Sequence, residues 1–415
     1  MTIHPDNAVA QTSFLPIGVG IAGSIQTATL RVGTRVVAQT ENFSDYYFAK
    51  RSVHTAQQKQ LIDMVLDGGV SNVGNSPNTD GKYAADTGSA IYTTKTACGV
   101  DTRYKPVVSQ TDCPTYSVAL DDLFVMMRGL QLPLFAMEEV VSIELTLRQQ
   151  VNPAVGKNLM FNTAPVSTSS SYGLDNFALH LDYLQYDDAT MARVRDMVYS
   201  STGMPFIYDD LSLTTTQIPA VVQPALGAIT PNSIIREVGS AGLKVRNVLV
   251  LEKKTGVNNT LFGDYRSDSP IHPPKYNWRY NNRIYYPRPI FNTSLMRNEL
   301  EKIMMFPMSV PNVLYSKDVE NDFYTSNDGG QNLIMDNAVL MEGQGNQVFS
   351  GTHFITGLNL TKGRGGEPTE IIHKNLTYSR ENTFSRNDFQ ARDLQFFCEY
   401  ERSWILRNGV LIVSM

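Results

Sequence analysis

The chain has 415 residues, of which 42% are hydrophobic and 18% are charged, and its formal net charge is −5. Because a single hydrophobic core stops growing at about 250–300 residues, this length predicts two domains. Nucleic-acid binders usually carry a basic domain or stripe, whereas the densest basic stretch here, 279–288, is interleaved with Tyr and Pro, so no direct nucleic-acid binding is expected.

The first half of the chain alternates strand-like segments with long polar stretches. Residues 1–13 are polar, lack the apolar core of a signal peptide and predict a loose N-terminal arm. Residues 24–39 are rich in Val, Thr and Ile around a Gly33-Thr34 break, which predicts two strands joined by a turn. A helix is expected to follow and to end near Leu66, and the Gly-, Ser- and Asn-rich residues 68–112 predict a long loop.

Two segments of the first half place large apolar residues at every second position, and the residues between them are polar apart from Ala178. They are 141–148 and 177–183, and each predicts a strand with one buried and one wet face. Short helices are expected at 121–129 and 187–199. No stretch approaches 18 uninterrupted apolar residues, so no transmembrane helix is expected.

The second half shows the same sparse use of helix. Residues 243–253 predict an apolar strand, and residues 294–305 predict a helix with one apolar face. Residues 307–347 form another long polar stretch. The segment 396–413 predicts a hairpin, because Asn408-Gly409 supplies the two positive-φ residues of a type I′ turn.

A short internal repeat links the two halves. Residues 30–37 align without gaps on 278–285, so that Arg31 falls on Arg279 at an offset of 248 residues. Both copies place an arginine on each side of two turn residues, and both lead into a segment with a helix. Together with many strands and few short helices, the repeat predicts an all-β protein of two similar domains.

One glycine pattern has the spacing of a dinucleotide-binding loop. Residues 18–23 match Gly-x-Gly-x-x-Gly, but the strand-like residues 24–29 follow them instead of a helix. Without a helix N-terminus there is no dipole or set of donors to hold a pyrophosphate. We therefore expect a flexible lead into the first strand and no cofactor.

The residues that could hold a metal or act as nucleophiles are scattered. No two histidines are spaced i, i+2 or i, i+4, and no nucleophile elbow is present. The three cysteines, an odd and low number, predict free thiols in a reducing compartment. We expect no catalytic, cofactor-binding or metal site, and hence no enzyme. The histidines and cysteines are His4, His54, His180, His272, His353, His373, Cys98, Cys113 and Cys398.

Three stretches resemble the double jelly-roll major capsid proteins of double-stranded DNA viruses, in the lineage of polinton-like viruses, virophages and adenovirus hexon. Residues 27–68 combine a short hairpin with a Tyr-bearing helical segment that ends in Gly. Residues 118–149 contain Leu-Gln-Leu-Pro-Leu ahead of the alternating strand. Residues 278–305 place Asn-Asn-Arg-Ile-Tyr-Tyr-Pro ahead of the helix.

The resemblance implies two tandem eight-stranded jelly-roll barrels with short helices and long inserted loops, at 14–200 and 203–415 after the arm at 1–13. It implies a homotrimer that forms a pseudo-hexameric capsomer of an icosahedral shell, assembled inside the host cell and located in the virion. Neighbouring capsomers, penton proteins and minor capsid proteins would be its partners, and an internal membrane is left open. The stretches 68–112 and 307–347 would then be tower loops.

A jelly-roll viral spike or carbohydrate-binding module is the alternative. A glycan-binding groove usually exposes tryptophan. The chain has two tryptophans, Trp278 and Trp404, and both lie in apolar, strand-like surroundings. This context favours the capsid protein over the binding module.

Overall fold

A computed structural model describes the part of the chain that carries most of its strands. The described residues are 1–5, 13–14, 20–54, 107–108, 115–128, 132–148, 161–162, 172–222, 230–254, 275–281, 283–290, 299–300, 302–303, 325–326, 332–333, 355–361, 367–371, 375–384 and 391–413. Within them the chain folds into antiparallel sheets with a few short helices, as the pattern of strands and turns predicts.

The strands of the first half are β1 Thr2–Pro5, β2 Ser13–Phe14, β3 Ile25–Val32, β4 Arg35–Glu41, β5 Val107–Val108, β6 Val141–Leu147, β7 Phe161–Asn162 and β8 Tyr172–Asp175. Its helices are α1 Phe43–His54, α2 Leu120–Leu123 and α3 Asp188–Val198. Short 3-10 turns lie at Gly20–Ser24, Val125–Arg128 and Leu134–Ala136.

The strands of the second half are β9 Met204–Ile218, β10 Thr230–Val238, β11 Lys244–Lys254, β12 Lys275–Tyr280, β13 Arg283–Ile284, β14 Thr325–Ser326, β15 Asn332–Leu333, β16 Ile355–Asn359, β17 Thr369–Glu370, β18 Leu376–Phe384, β19 Arg392–Arg407 and β20 Val410–Val413. Helical backbone is present at 299–300 and 302–303.

The second half is a jelly roll. One sheet has the strand order β9-β19-β11-β16, and the facing sheet has the order β10-β18-β12-β13. Counted along the chain, these eight strands alternate between the two sheets except at β12 and β13, which are neighbours in one sheet, and this is the order of two interlocked Greek keys. All pairs within both sheets are antiparallel.

The core of this jelly roll lies between its two sheets and is rich in aromatic rings. The Trp278 ring centroid lies 5.0 Å from that of Tyr378, which in turn lies 5.6 Å from Phe396 in an edge-to-face arrangement. All three side chains are buried. The pairs stabilise the sheet contact beyond the area they bury, by about 0.5–1.5 kcal/mol each.

The central position of the strand β11 explains why its sequence is a continuous apolar run. Val248, Leu249, Val250 and Leu251 are all buried, although successive side chains of a strand point to opposite faces. One face of β11 contributes to the core between the sheets, and Tyr46 and Ala49 of α1 belong to the same hydrophobic cluster. A strand covered on both faces therefore needs apolar residues at every position.

The first half repeats part of this arrangement. The sheet β4-β3-β6 corresponds to β13-β12-β18, and the repeat predicted from the sequence is confirmed in register. Arg31 pairs with Val36 across one turn, and Arg279 pairs with Ile284 across the other. The two pairs are related by the same offset of 248 residues.

A second ladder of the first half corresponds to the pairing of β11 with β19. Thr2 pairs with Asp175 in β1 and β8, and Phe14 pairs with Phe161 in β2 and β7. Both pairs are antiparallel, and in each the earlier strand takes the place of β11 and the later strand that of β19. Because β2 also pairs with β5, the order β7-β2-β5 matches β19-β11-β16.

Several local predictions are confirmed. β6 covers the alternating segment 141–148, and α3 begins after Asp187, whose side chain accepts a hydrogen bond from the Thr190 amide at 3.2 Å. Asn408 and Gly409 have φ values of 51° and 72°, as the type I′ turn requires. The hairpin of β19 and β20 closes at this turn.

Two predictions are wrong in detail. Residues 177–183 form no strand and are exposed on both faces, because no described strand pairs with them. Thr2–Pro5, expected to belong to a loose arm, is a strand paired with Tyr172–Asp175. α1 Phe43–His54 covers the first part of the helical segment predicted to end near Leu66. Residues 55–66, the loop 68–112 apart from β5 and the loop 307–347 apart from β14 and β15 lie outside the described residues.

Candidate assembly interface between the two halves

The two halves share a hydrophobic core. The ends of β9 and β19 extend beyond the second jelly roll and place Phe206 and Trp404 in one cluster with Leu30 and Phe43 of the first half. All four side chains are at most 6% exposed. Burial of this size couples the halves, since each buried large side chain contributes about 1.5–3 kcal/mol.

A polar cluster around a buried carboxylate crosses the same interface and is here called the seam cluster: Tyr46, Asn247 and Glu399, which are buried, and Arg128, whose side chain is 25% exposed. The Tyr46 hydroxyl donates to Glu399 Oε1 at 2.6 Å, and Asn247 Nδ2 donates to Glu399 Oε2 at 2.7 Å. Arg128 donates from Nη1 to Glu399 Oε1 at 3.2 Å and from Nη2 to the Tyr46 oxygen at 2.7 Å. Both Glu399 oxygens are therefore bonded.

The pKa shifts in the seam cluster keep the donors of the Glu399 carboxylate protonated. Burial, partly offset by the Arg128 charge, raises the pKa of Tyr46, so its hydroxyl stays protonated and can donate. The nearby Tyr46 and Glu399 oxygens outweigh burial and raise the pKa of Arg128. Glu399 is thus a buried carboxylate with a cationic partner and with both oxygens bonded, which is the form in which a buried charge is tolerated.

Further polar contacts line the interface around the seam cluster. Gln395 Nε2 donates to Asp45 Oδ2 at 3.0 Å, and the Tyr208 hydroxyl donates to the Val37 carbonyl at 3.0 Å. The Leu411 amide donates to a Glu139 carboxylate oxygen at 3.1 Å. Each contact joins a residue of the second half to one of the first.

Arg402 anchors the edge of the interface. Its guanidinium donates to Asp210 at 3.0 Å and lies 5.0 Å from the Trp404 ring centroid. Burial raises the pKa of Asp210, and hydrogen bonds from the Leu211 amide and the Arg402 guanidinium oppose this rise. The guanidinium therefore covers an otherwise buried tryptophan and neutralises a desolvated carboxylate.

The interior of the second jelly roll holds a separate ionic cluster of one glutamate and two arginines. Glu252 on β11 contacts Arg380 on β18 and Arg392 on β19, and all three side chains are at most 2% exposed. The contact between Glu252 and Arg380 links the two facing sheets. Its full burial leaves it no access to a substrate, so its role is in packing and orientation.

The residues considered for chemistry form no site in the described chain. Residues 20–24 of the glycine pattern form a 3-10 turn, with Ile21, Ala22 and Ser24 buried, that runs directly into the strand β3. His4 lies in β1, His54 ends α1, and His180 is exposed. Among the described residues no group of three His, Cys, Asp or Glu side chains could hold a metal ion.

The remaining candidates have structural surroundings or lie outside the described residues. Cys398 is buried, and burial raises the pKa of its thiol to about 12. Trp278 and Trp404 are 0% and 1% exposed, so neither can stack on a sugar. No described helix is long and apolar enough to span a membrane. The candidates outside the described residues are Cys98, Cys113, His272, His353 and His373.

No sequence pattern identified any of the four residues of the seam cluster. Tyr46 and Glu399 are separated by 353 positions, and no spacing rule connects residues so far apart. One signal was available: the acidic residue in the otherwise apolar run around Phe397. A charged residue in a buried strand indicates a partner, but it does not identify the partner.

Comparisons with known proteins show which solved structures this architecture resembles. No protein-family model and no curated protein matches the sequence. PBCV-1 VP54, in a crystal structure fitted into a reconstruction of the virophage Sputnik, is 8% identical over 100% of this chain and 90% of its own, with a TM-score of 0.50. The PBCV-1 virus capsid model (10% identity, 100% and 95% covered) scores 0.48.

The mavirus major capsid protein is similar as well, at 8% identity over 100% of this chain and 82% of its own, with a TM-score of 0.44. The match to VP54, together with the strand order, shows that the chain has the double jelly-roll fold.

Proposed function

We propose that the chain is a major capsid protein, with no enzymatic activity, that forms pseudo-hexameric homotrimers in an icosahedral virion shell. The carrying observation is the fusion of two jelly rolls through one shared core and the seam cluster. Such a chain is a single rigid block with two similar ends. Three blocks around a three-fold axis present six similar units, which is the outline that fills a hexagonal lattice.

The domain division fits this proposal. Between α3 and β9 the chain reverses at Gly203, where φ is +70° and an added Cβ would lie 2.8 Å from the Leu406 carbonyl oxygen. We place the boundary of the two jelly rolls here, at 200–203: the first ends at residue 200 and includes the strand Thr2–Pro5 ahead of the expected start at 14, and the second covers 203–415. The tight turn fixes the second unit directly against the first.

The proposal extends to partners and location. Neighbouring capsomers, penton proteins and minor capsid proteins would surround the trimer in the virion, after assembly inside the host cell. The weak net charge of −5 leaves modest repulsion between copies, so wide contacts between them are tolerable. The buried tryptophans favour this function over a carbohydrate-binding module.

Light scattering on the purified chain, coupled to size exclusion, tests the oligomer directly. The chain mass is 46.2 kDa, so a trimer has a mass of about 139 kDa. We expect that mass, and hexagonal outlines in negative-stain images of the same fraction. A folded chain that stays at the monomer mass at high concentration, with outlines lacking six-fold character, overturns the proposal.

A further inference from the structure

The seam between the two halves uses one of the two sheets of the second jelly roll. Glu399 on β19, Phe206 on β9 and Asn247 on β11 all belong to the sheet β9-β19-β11-β16. The facing sheet, β10-β18-β12-β13, is separated from the seam by the core of the jelly roll. Its outer face therefore points away from the first half of the same chain.

The β13 edge of that facing sheet is basic, and residues 275–289 are here called the basic flank. They carry one lysine and three arginines but no Asp or Glu. Arg279 pairs with Ile284 across β12 and β13, so the two side chains lie on the same face, opposite to that of the buried Trp278. Ile284 is 55% exposed. Within the described chain, the arginines of this flank are exposed and form no ion pair: they are Arg279, Arg283 and Arg288.

The first half exposes a segment of the opposite charge, residues 175–188, here called the acidic flank. Every residue of it is exposed, and it contains four aspartates but no Lys or Arg. Soluble surfaces rarely expose many large apolar side chains together, and such a patch marks an interaction site. Six of them are 41–75% exposed here and belong to neither described hydrophobic core: Phe177, Leu179, Leu181, Tyr183, Leu184 and Tyr186.

The composition of the two flanks favours a second copy of the chain as the partner. Solvation alone explains the charges, but it does not explain the apolar side chains beside them, which include Tyr285 at 46% exposure on the basic flank. Like flanks of two copies repel each other, whereas unlike flanks attract. The contact is therefore heterologous, from the second half of one copy to the first half of another, and heterologous contacts can close into a ring.

We infer that the basic flank of each copy binds the acidic flank of the next copy, and that three such contacts close the trimer. The inference rests on the proposed function, which supplies the three-membered ring. Within one copy the seam joins the first jelly roll to the second. Between copies the flanks join the second jelly roll to the first of the next chain, so the two kinds of jelly roll alternate around the ring.

Charge reversal on either flank tests the contact, with light scattering over a dilution series as the measurement. The first triple variant carries glutamate at all three arginines of the basic flank, which changes the charge of this flank from +4 to −2. The second is Asp182→Lys with Gln185→Lys and Asp188→Lys, which changes the acidic flank from −4 to +1. For each triple variant we expect the concentration of half-dissociation to rise at least tenfold. Thermal melts should stay close to those of the parent, because all six side chains are exposed.

Two controls separate this contact from a general effect of charge or exposure. Arg35→Glu with Arg193→Glu and Arg407→Glu makes the same change of net charge at exposed arginines outside both flanks, and it should leave half-dissociation within twofold of the parent. Ile284→Ser should weaken the trimer, whereas Ile207→Ser, at a side chain that is 65% exposed outside both flanks, should not.

Combining the two triple variants restores opposite charges, −2 against +1, so the combined variant should assemble more tightly than either triple variant alone. A combined variant no tighter than the weaker triple variant contradicts the pairing of these flanks. A parent that forms trimers which neither triple variant weakens overturns the inference and leaves the proposed trimer standing. A parent that stays at the monomer mass at every concentration overturns both.

Discussion

Removing a single oxygen from the seam cluster should loosen the junction of the two halves. In Tyr46→Phe the ring remains, so its packing on Phe397 at 5.4 Å is kept and no cavity forms. The lost hydroxyl donates to Glu399 and accepts from Arg128. A hydrogen bond to a charged group contributes about 1.5–3 kcal/mol, so we expect the free energy of unfolding to fall by about 2–3 kcal/mol.

Urea denaturation followed by tryptophan fluorescence measures this change, because Trp278 and Trp404 are both buried. Tyr199→Phe is the matched control, since its hydroxyl donates to Glu138 at the exposed surface at 3.0 Å. That variant should stay within about 0.5 kcal/mol of the parent. Equal effects of Tyr46→Phe and Tyr199→Phe would refute the role assigned to the seam cluster.

Three further perturbations probe the turn, the buried thiol and the interior ion pair. Gly409→Ala should destabilise the chain more than Gly242→Ala in thermal melts: both residues have positive φ, but an added Cβ lies 2.5 Å from Glu138 Cγ at Gly409 and in open space at Gly242. Cys398 should resist alkylation at pH 8 until urea unfolds the chain, as peptide mass spectrometry would show; labelling of the native chain contradicts its burial. Glu252→Ala, which leaves two buried arginines without that carboxylate, should cost about 3–5 kcal/mol in urea denaturation, and a loss below 1 kcal/mol would contradict the assigned ion pair.

The sequence predicted those features that local chemistry dictates. Asn408-Gly409 specifies a turn because few other residue pairs adopt positive φ twice in succession, and the alternation in 141–148 specifies a strand with two unlike faces. The repeat of Arg31 on Arg279 located equivalent turns in the two halves, because both turns join the same pair of strands in the same fold.

The features that depend on long-range contacts could not be predicted. Large apolar residues occupy every second position in 177–183 as they do in 141–148, yet 141–148 alone has a described partner strand. A pattern reports which side chains could be buried, and a strand forms only where a neighbour completes its hydrogen bonds. The seam cluster was missed for a related reason, since Glu399 meets Tyr46 only after the whole second half has folded.

The chemistry of the seam explains why the two jelly rolls have one relative orientation. An apolar core alone tolerates many packings of similar volume, because hydrophobic contacts have no direction. Glu399 is directional: rotating one half against the other would remove the Tyr46 and Arg128 donors and leave a buried carboxylate short of hydrogen bonds. The penalty for such an unsatisfied charge is at least about 1–3 kcal/mol. The seam cluster therefore selects one relative orientation of the two jelly rolls, which the apolar core alone does not.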